Sequence, residues 1–97
     1  MSASDLHHVG WTFLSNHATV LLCVARDATM RTRDIAMEVG ITERAVRHIM
    51  SDLEADGYVE RVRKGRRNSY RVDKSLCLRH PIGQHKKIGA LIRMINR

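Results

Sequence analysis

Apolar residues recur at helical spacing in four stretches of the chain and alternate with polar ones in two. Between Ile41 and Gly57, Val46, Ile49, Met50 and Leu53 fall at i, i+3, i+4 and i+7, one apolar face of a helix. Thr42 stands where an N-cap belongs, Gly40 interrupts the pattern before it, and Gly57 supplies a stop, so a helix is predicted over 42–56. Its polar face carries Thr42, Glu43, Arg44, Arg47, His48 and Ser51.

The stretch from Trp11 to Asp27 predicts an earlier helix with Leu14, Ala18, Leu21, Leu22 and Ala25 on one stripe and Phe13, Val20, Cys23 and Val24 at its sides. An ordinary surface helix shows an apolar arc of somewhat over ~100°, and this arc is wider, so burial on two sides is expected. Either Trp11 and Phe13 are then anchors of a homodimer interface or Trp11 caps the core of a monomer, and both readings stand at this point. A polar connector follows in which Met30–Thr32 is expected to form a short strand. A second helix is predicted over Arg33–Val39, with Ile35, Ala36 and Val39 inward. Counting from Ala36, Gly40 follows at four residues, Val46 at ten and Ile49 at thirteen. A small residue for close crossing, a glycine for the tight turn and two apolar locks are the offsets of a helix-turn-helix.

After Gly57 the period changes to two. Tyr58–Arg63 and Ser69–Asp73 read as strands, with Tyr70 and Val72 to one side, and Lys64 to Asn68 as the turn of a hairpin. Residues 74–81 form a connector ending at Pro81, which can open a helix at its first turn. The last helix is predicted over Ile82–Ile95, with Ile88, Leu91, Ile92 and Ile95 on its stripe. Docking that stripe beside the first helix, in the same subunit or across a dimer, is the simplest way to bury it. The fold class expected is mainly α with a small β-hairpin wing, a winged helix-turn-helix in the order α-β-α-α-β-β-α. A polar arm over 1–10 would precede a single domain over 11–97 that ends in a dimerisation helix.

Charge sharpens this picture because it is regional. Residues 1–57 hold five Lys/Arg against eight Asp/Glu, a net of −3, and residues 58–97 hold twelve against two, a net of +10. Segregated cations point to a polyanion, with nucleic acid ahead of membrane. The hairpin and its flanks concentrate Arg61, Arg63, Lys64, Arg66, Arg67 and Arg71, a density of cations that repels itself unless an anion is near, and Asn68 joins them in the expected wing contact set.

Other chemistry is not expected. No nucleophile elbow, phosphate loop or acid pair supports an enzyme. The adjacent His7 and His8 lack further ligands nearby, and the Cys77, His80, His85 string offers ligands from one segment alone, so neither a metal nor another cofactor is expected. Cys23 reads as core and Cys77 as a connector residue, both reduced thiols. No apolar run approaches the roughly 20 residues that span a bilayer. The basic terminal helix lacks interfacial aromatics, and Met1–His8 has neither a basic nor an apolar leader region, so no membrane partner and a cytoplasmic location are expected.

The element order resembles the winged helix-turn-helix transcriptional regulators of the MarR-like or ArsR-like type. More closely, WTFLSNHATVLLCVARD, RDIAMEVGITERAVRHIMSDLEADGY, GRRNSYRV and LRHPIGQH look like a group of small stand-alone prokaryotic regulators. The resemblance implies a reading helix in the major groove, with Thr42, Glu43, Arg44, Arg47, His48 and Ser51 facing bases and nearby phosphates. It implies a wing on the DNA backbone or minor groove, and outer helices that dimerise through Trp11, Phe13, Leu14, Ile88, Leu91, Ile92 and Ile95. Paired thiols of the metal-sensing branch are missing from the recognition motif. The leading expectation is a homodimeric, sequence-specific repressor bound to double-stranded DNA. The alternative is a winged-helix interaction module for RNA or a protein, disfavoured for single-stranded RNA because Trp11, Phe13, Tyr58 and Tyr70 are expected to point inward.

Overall fold

A computed structural model describes residues 10–96, apart from the side chains of Lys64 and Arg67. The expected arm with His7 and His8 lies, but for Gly10, outside the described residues. The element order is α1 (Asn16–Arg26), α2 (Thr32–Val39), α3 (Glu43–Ala55), β1 (Val59–Lys64), β2 (Arg67–Val72) and α4 (Ile88–Asn96). It is a small winged-helix-like fold, three helices, a two-stranded antiparallel hairpin and a closing helix.

α1 is the centre. Ser15 caps it by accepting from the Ala18 amide at 3.2 Å, and Val20, Leu21, Leu22, Cys23 and Val24 are all buried. Five consecutive buried positions go once round a helix, so α1 is covered on every side at its middle, and it packs against α2, α3, α4 and β2. The expected two-sided burial is met inside one chain. The helix starts five residues later than its periodicity suggested, because Ser15 takes the cap, and Trp11 and Phe13 precede it.

α2 and α3 meet through the predicted turn. Gly40 adopts φ 86°, ψ 34°, its amide donates to the Ala36 carbonyl at 2.8 Å, and Ile41 donates to the same oxygen at 3.1 Å. Thr42 then caps α3, its Oγ1 accepting from Ala45 at 3.0 Å. Val46, Ile49, Met50 and Leu53 are buried, as their spacing requires. At the far end Gly57 has φ 82°, and the Tyr58 amide reaches back to the Leu53 carbonyl at 2.9 Å, which turns the chain into the hairpin.

The hairpin register pairs Val59 with Val72, Arg61 with Tyr70 and Lys64 with Arg67. The loop is therefore Gly65–Arg66 alone, with Gly65 at φ 62°, and Arg67 and Asn68 belong to β2 rather than to the turn. The short strand expected at Met30–Thr32 is absent. Asp27 instead folds the connector into a turn, accepting from the Thr29 amide at 3.0 Å and hydroxyl at 2.7 Å, and Thr32 already belongs to α2. What survives of the pairing is one bond, from the Tyr70 amide to the Ala28 carbonyl at 3.1 Å.

The last helix also begins later than expected, at Ile88 instead of Ile82. Pro81 sits in a loop closed by Leu78 N to Lys86 O at 2.9 Å and Ile88 N to Leu76 O at 2.8 Å, around an antiparallel bridge between Cys77 and Lys87. Those bonds take the Lys86 carbonyl and the Ile88 amide, both of which a helix begun at Ile82 would have used. α4 buries Ile88 and Ile92 in the chain's own core, and Asn96 Nδ2 donates to the Leu22 carbonyl at 2.9 Å.

Candidate nucleic-acid interface

The first condition for a reading helix is a face left open by the fold. On α3, Arg44, Arg47, His48 and Ser51 follow one another at i, i+3, i+4 and i+7 and are exposed, opposite the buried stripe. Thr42 and Glu43 lie at the N-terminal end of the same face, also exposed. Thr42 already spends an acceptor position on the cap but keeps its O–H to donate, and Glu43 stands in the first turn, where the helix dipole favours a negative charge. His48 Nε2 lies 3.7 Å from Asp52 Oδ2, one turn on. The same Asp52 oxygen accepts from His17 Nε2 of α1 at 2.8 Å, and this bond holds the Asp52 carboxyl below the usual carboxylate range.

The arginines divide by partner. Arg26 is paired with Glu38, Arg61 with Glu54 at 3.2 Å, Arg71 with Glu60 at 3.9 Å, and Arg79 with Asp56. Arg31, Arg33, Arg44, Arg47, Arg63 and Arg66 are exposed and have no ion-pair partner among the described residues. Within the wing, then, Arg61 and Arg71 are engaged inside the molecule, whereas Arg63 and Arg66 are open. Arg61 also lies over the Tyr70 ring, 6.0 Å from its centroid, and its bond to Glu54 fastens the base of the hairpin to α3. Asn68 is exposed and stands across from Arg63. The side chains of Lys64 and Arg67 lie outside the description.

Between the wing and the start of α2 is a polar niche of about 330 Å³, lined by Thr29, Met30, Arg31, Thr32, Arg66, Asn68 and Tyr70. Arg31 was not among the residues that the sequence pattern marked. Nothing local distinguishes it from other connector arginines; only the Tyr70–Ala28 bond, which draws the connector to β2, brings it beside Arg66. The open arginines thus stand on three elements: Arg44 and Arg47 on the α3 stripe, Arg63 and Arg66 on the wing, and Arg31 on the connector, which lines the niche with Arg66.

A family model of FaeA-like proteins matches residues 12–73. The chain belongs to the FaeA-like family. FaeA-like proteins are winged-helix regulators, which agrees with the helix-turn-helix and hairpin described above. No curated protein matches the chain. The FaeA-like stretch contains α1, α2, α3 and the hairpin, and therefore every residue of the candidate interface. The loop and α4, residues 74–96, follow it.

The remaining expected interface residues separate by burial. Ile88 and Ile92 are in the core, Leu14 and Leu91 are half-buried against it, and Ile95 is half-exposed. Trp11 and Phe13 are 70% and 92% exposed, which corrects the expectation that all the aromatics point inward; Tyr58 and Tyr70 do pack on the core. No helix of the described residues is long and apolar enough to cross a membrane, and no group of three His, Cys, Asp or Glu among them could hold a metal ion.

Proposed function

We propose that this chain is a sequence-specific, double-stranded-DNA-binding transcriptional regulator that acts as a homodimeric repressor in the cytoplasm. The observation that carries the reading is the open arginine set. Arg44 and Arg47 on the exposed stripe of α3 have no partner within the described residues, and neither do Arg31 of the connector and Arg63 and Arg66 of the wing. Guanidinium forks suit the paired acceptors of guanine in the major groove, so Arg44 and Arg47 are assigned to base reading, with Thr42, Glu43, His48 and Ser51 around them. Arg63, Arg66, Asn68 and Arg31 are assigned to phosphates, which position the protein and supply salt-sensitive affinity. Repression follows from occupying the duplex against other proteins. The layout is the MarR-like or ArsR-like one in which outer helices dimerise.

The exposed Trp11–Phe13 pair revives one point for single-stranded RNA, since stacking needs open aromatics. Its position weighs against that use. The pair precedes the N-terminus of α1 and the cationic niche adjoins its C-terminus, and an 11-residue helix separates them by about 16 Å.

The test starts from duplexes selected out of a random DNA pool by the intact chain. Arg44→Ala or Arg47→Ala should each reduce discrimination against a mismatched duplex by about 1–3 kcal/mol. The Arg63→Ala, Arg66→Ala double variant should weaken all duplexes alike and lower the slope of log K against log salt by roughly two. Equal loss of discrimination from both sets, or a pool that yields no preferred duplex, overturns the assignment.

A further inference from the structure

A groove of about 500 Å³ lies on the side of the fold formed by α1, the C-terminal half of α3 and the loop that leads to α4. Its floor is apolar, from Ala18, Leu21, Leu53, Leu78, Ile88 and Leu91, and its mouth is charged, from His17, Asp52, Asp56 and Arg79. Close to it in the chain stands an exposed apolar group of complementary kind. The Trp11 and Phe13 rings meet edge to face, centroids 4.9 Å apart at 76°, and Thr12 Oγ1 donates to the Leu14 carbonyl at 2.7 Å. The two rings form one ordered unit that the described fold leaves in water. They are not part of the groove's lining.

We propose that the groove takes the Trp11–Phe13 pair of a second copy of this chain, so that each copy fills the other's groove. The inference rests on the homodimer reading above and adds to it where the contact is and what fills it. Three observations select a second copy. The first is area: four aromatic side chains at about 150–250 Å² each, with the smaller groove surfaces they cover, come to about 1,000 Å², the size of a specific interface of modest affinity. The second is polarity. A buried indole N–H needs an acceptor, and Asp52 and Asp56, one turn apart at the mouth, each engage their own partner, His17 or Arg79, through Oδ2. Each carboxylate has a second oxygen with which to accept. The third is placement, since Ser15 lines the groove two residues after Phe13, and a two-fold axis passing near the start of α1 brings anchor and groove together in both directions.

The consequence reaches the reading helix, because Asp52 and Leu53 of α3 and its C-cap Asp56 line the groove. Filling the groove fixes how the two copies of α3 stand relative to each other.

Trp11 is the single tryptophan, so its fluorescence reports the contact directly. In sedimentation equilibrium without DNA, the intact chain is expected to dimerise at micromolar concentration. Trp11 emission should move to shorter wavelength over the same concentration range. Phe13→Ala should weaken association by roughly 30-fold and Trp11→Ala, Phe13→Ala together by more. Leu78→Glu should block the groove from a loop position, with folding checked by circular dichroism; Leu91→Glu serves if that variant unfolds. The double alanine variant keeps the groove and Leu78→Glu keeps the anchors, so neither alone should self-associate and their mixture should. A dimer whose formation leaves Trp11 emission unchanged, or that survives loss of both rings, overturns groove filling and leaves the homodimer standing. Emission already shifted and independent of concentration assigns the groove to the chain's own rings and also overturns the proposal. A monomer with unshifted emission throughout overturns both the contact and the dimer.

Discussion

Thr42 serves two ends at one position. Its hydroxyl oxygen satisfies the Ala45 amide at the start of α3, and the same side chain stands on the exposed face that is proposed to read DNA. Thr42→Ala should lower stability in urea unfolding by about 1 kcal/mol, the usual cost of losing an N-cap, and Thr42→Ser should restore it. Gly40 just before it, at φ 86°, holds a left-handed conformation in which a Cβ is strained, and that lets the Ala36 carbonyl accept from both Gly40 and Ile41. Both residues were legible in the sequence because caps and left-handed turns are properties of one or two positions. Arg31, Arg61 and Arg71 were not. Whether an arginine is open or paired depends on a partner that the chain brings from elsewhere, Glu54 for Arg61 and, among the described residues, no acid for Arg31.

The elements differ in how they are held. α3 carries its own stripe, caps and stop, and its bounds, Glu43–Ala55, fall within one residue of the predicted helix. α4 depends on what lies under it. With Ile92 at 5% exposure in the core, Ile92→Ala should destabilise the fold by about 2–5 kcal/mol in urea unfolding, whereas Met94→Ala, 68% exposed, should change little. The start of α4 was misplaced because Pro81 is equally at home in the first turn of a helix and in a loop. The Cys77–Lys87 bridge, a pairing across ten residues, decides for the loop. The missing strand at Met30–Thr32 has a similar cause: a strand needs a ladder, and Asp27 turns the connector after a single bond to β2. The hairpin itself was legible through its alternation, and only its pairing register reduced the turn to two residues.

Across the whole molecule, α1 joins α3 to the rest of the fold, through buried side chains at its middle and through His17–Asp52 at its edge. Asp52 has a folded-state pKa lowered by the His17 bond, so its contribution is present above the unfolded carboxylate value and is lost as pH falls through the folded one. Asp52→Asn should therefore lower stability at neutral pH and cease to matter in strong acid, as read by urea midpoints across a pH series. An equal effect at both ends would show that the bond carries no such linkage. The sequence by itself determined the helix-turn-helix, the alternating hairpin and the basic wing, because periodicity, capping and turn chemistry act over a few residues. Only the tertiary structure decided which arginines are open, that α4 closes the chain's own core, and that Trp11 and Phe13 stand in water beside an apolar groove. Those outcomes depend on contacts between residues distant in the chain, and a pattern of residue types carries no information about which of two available surfaces is covered.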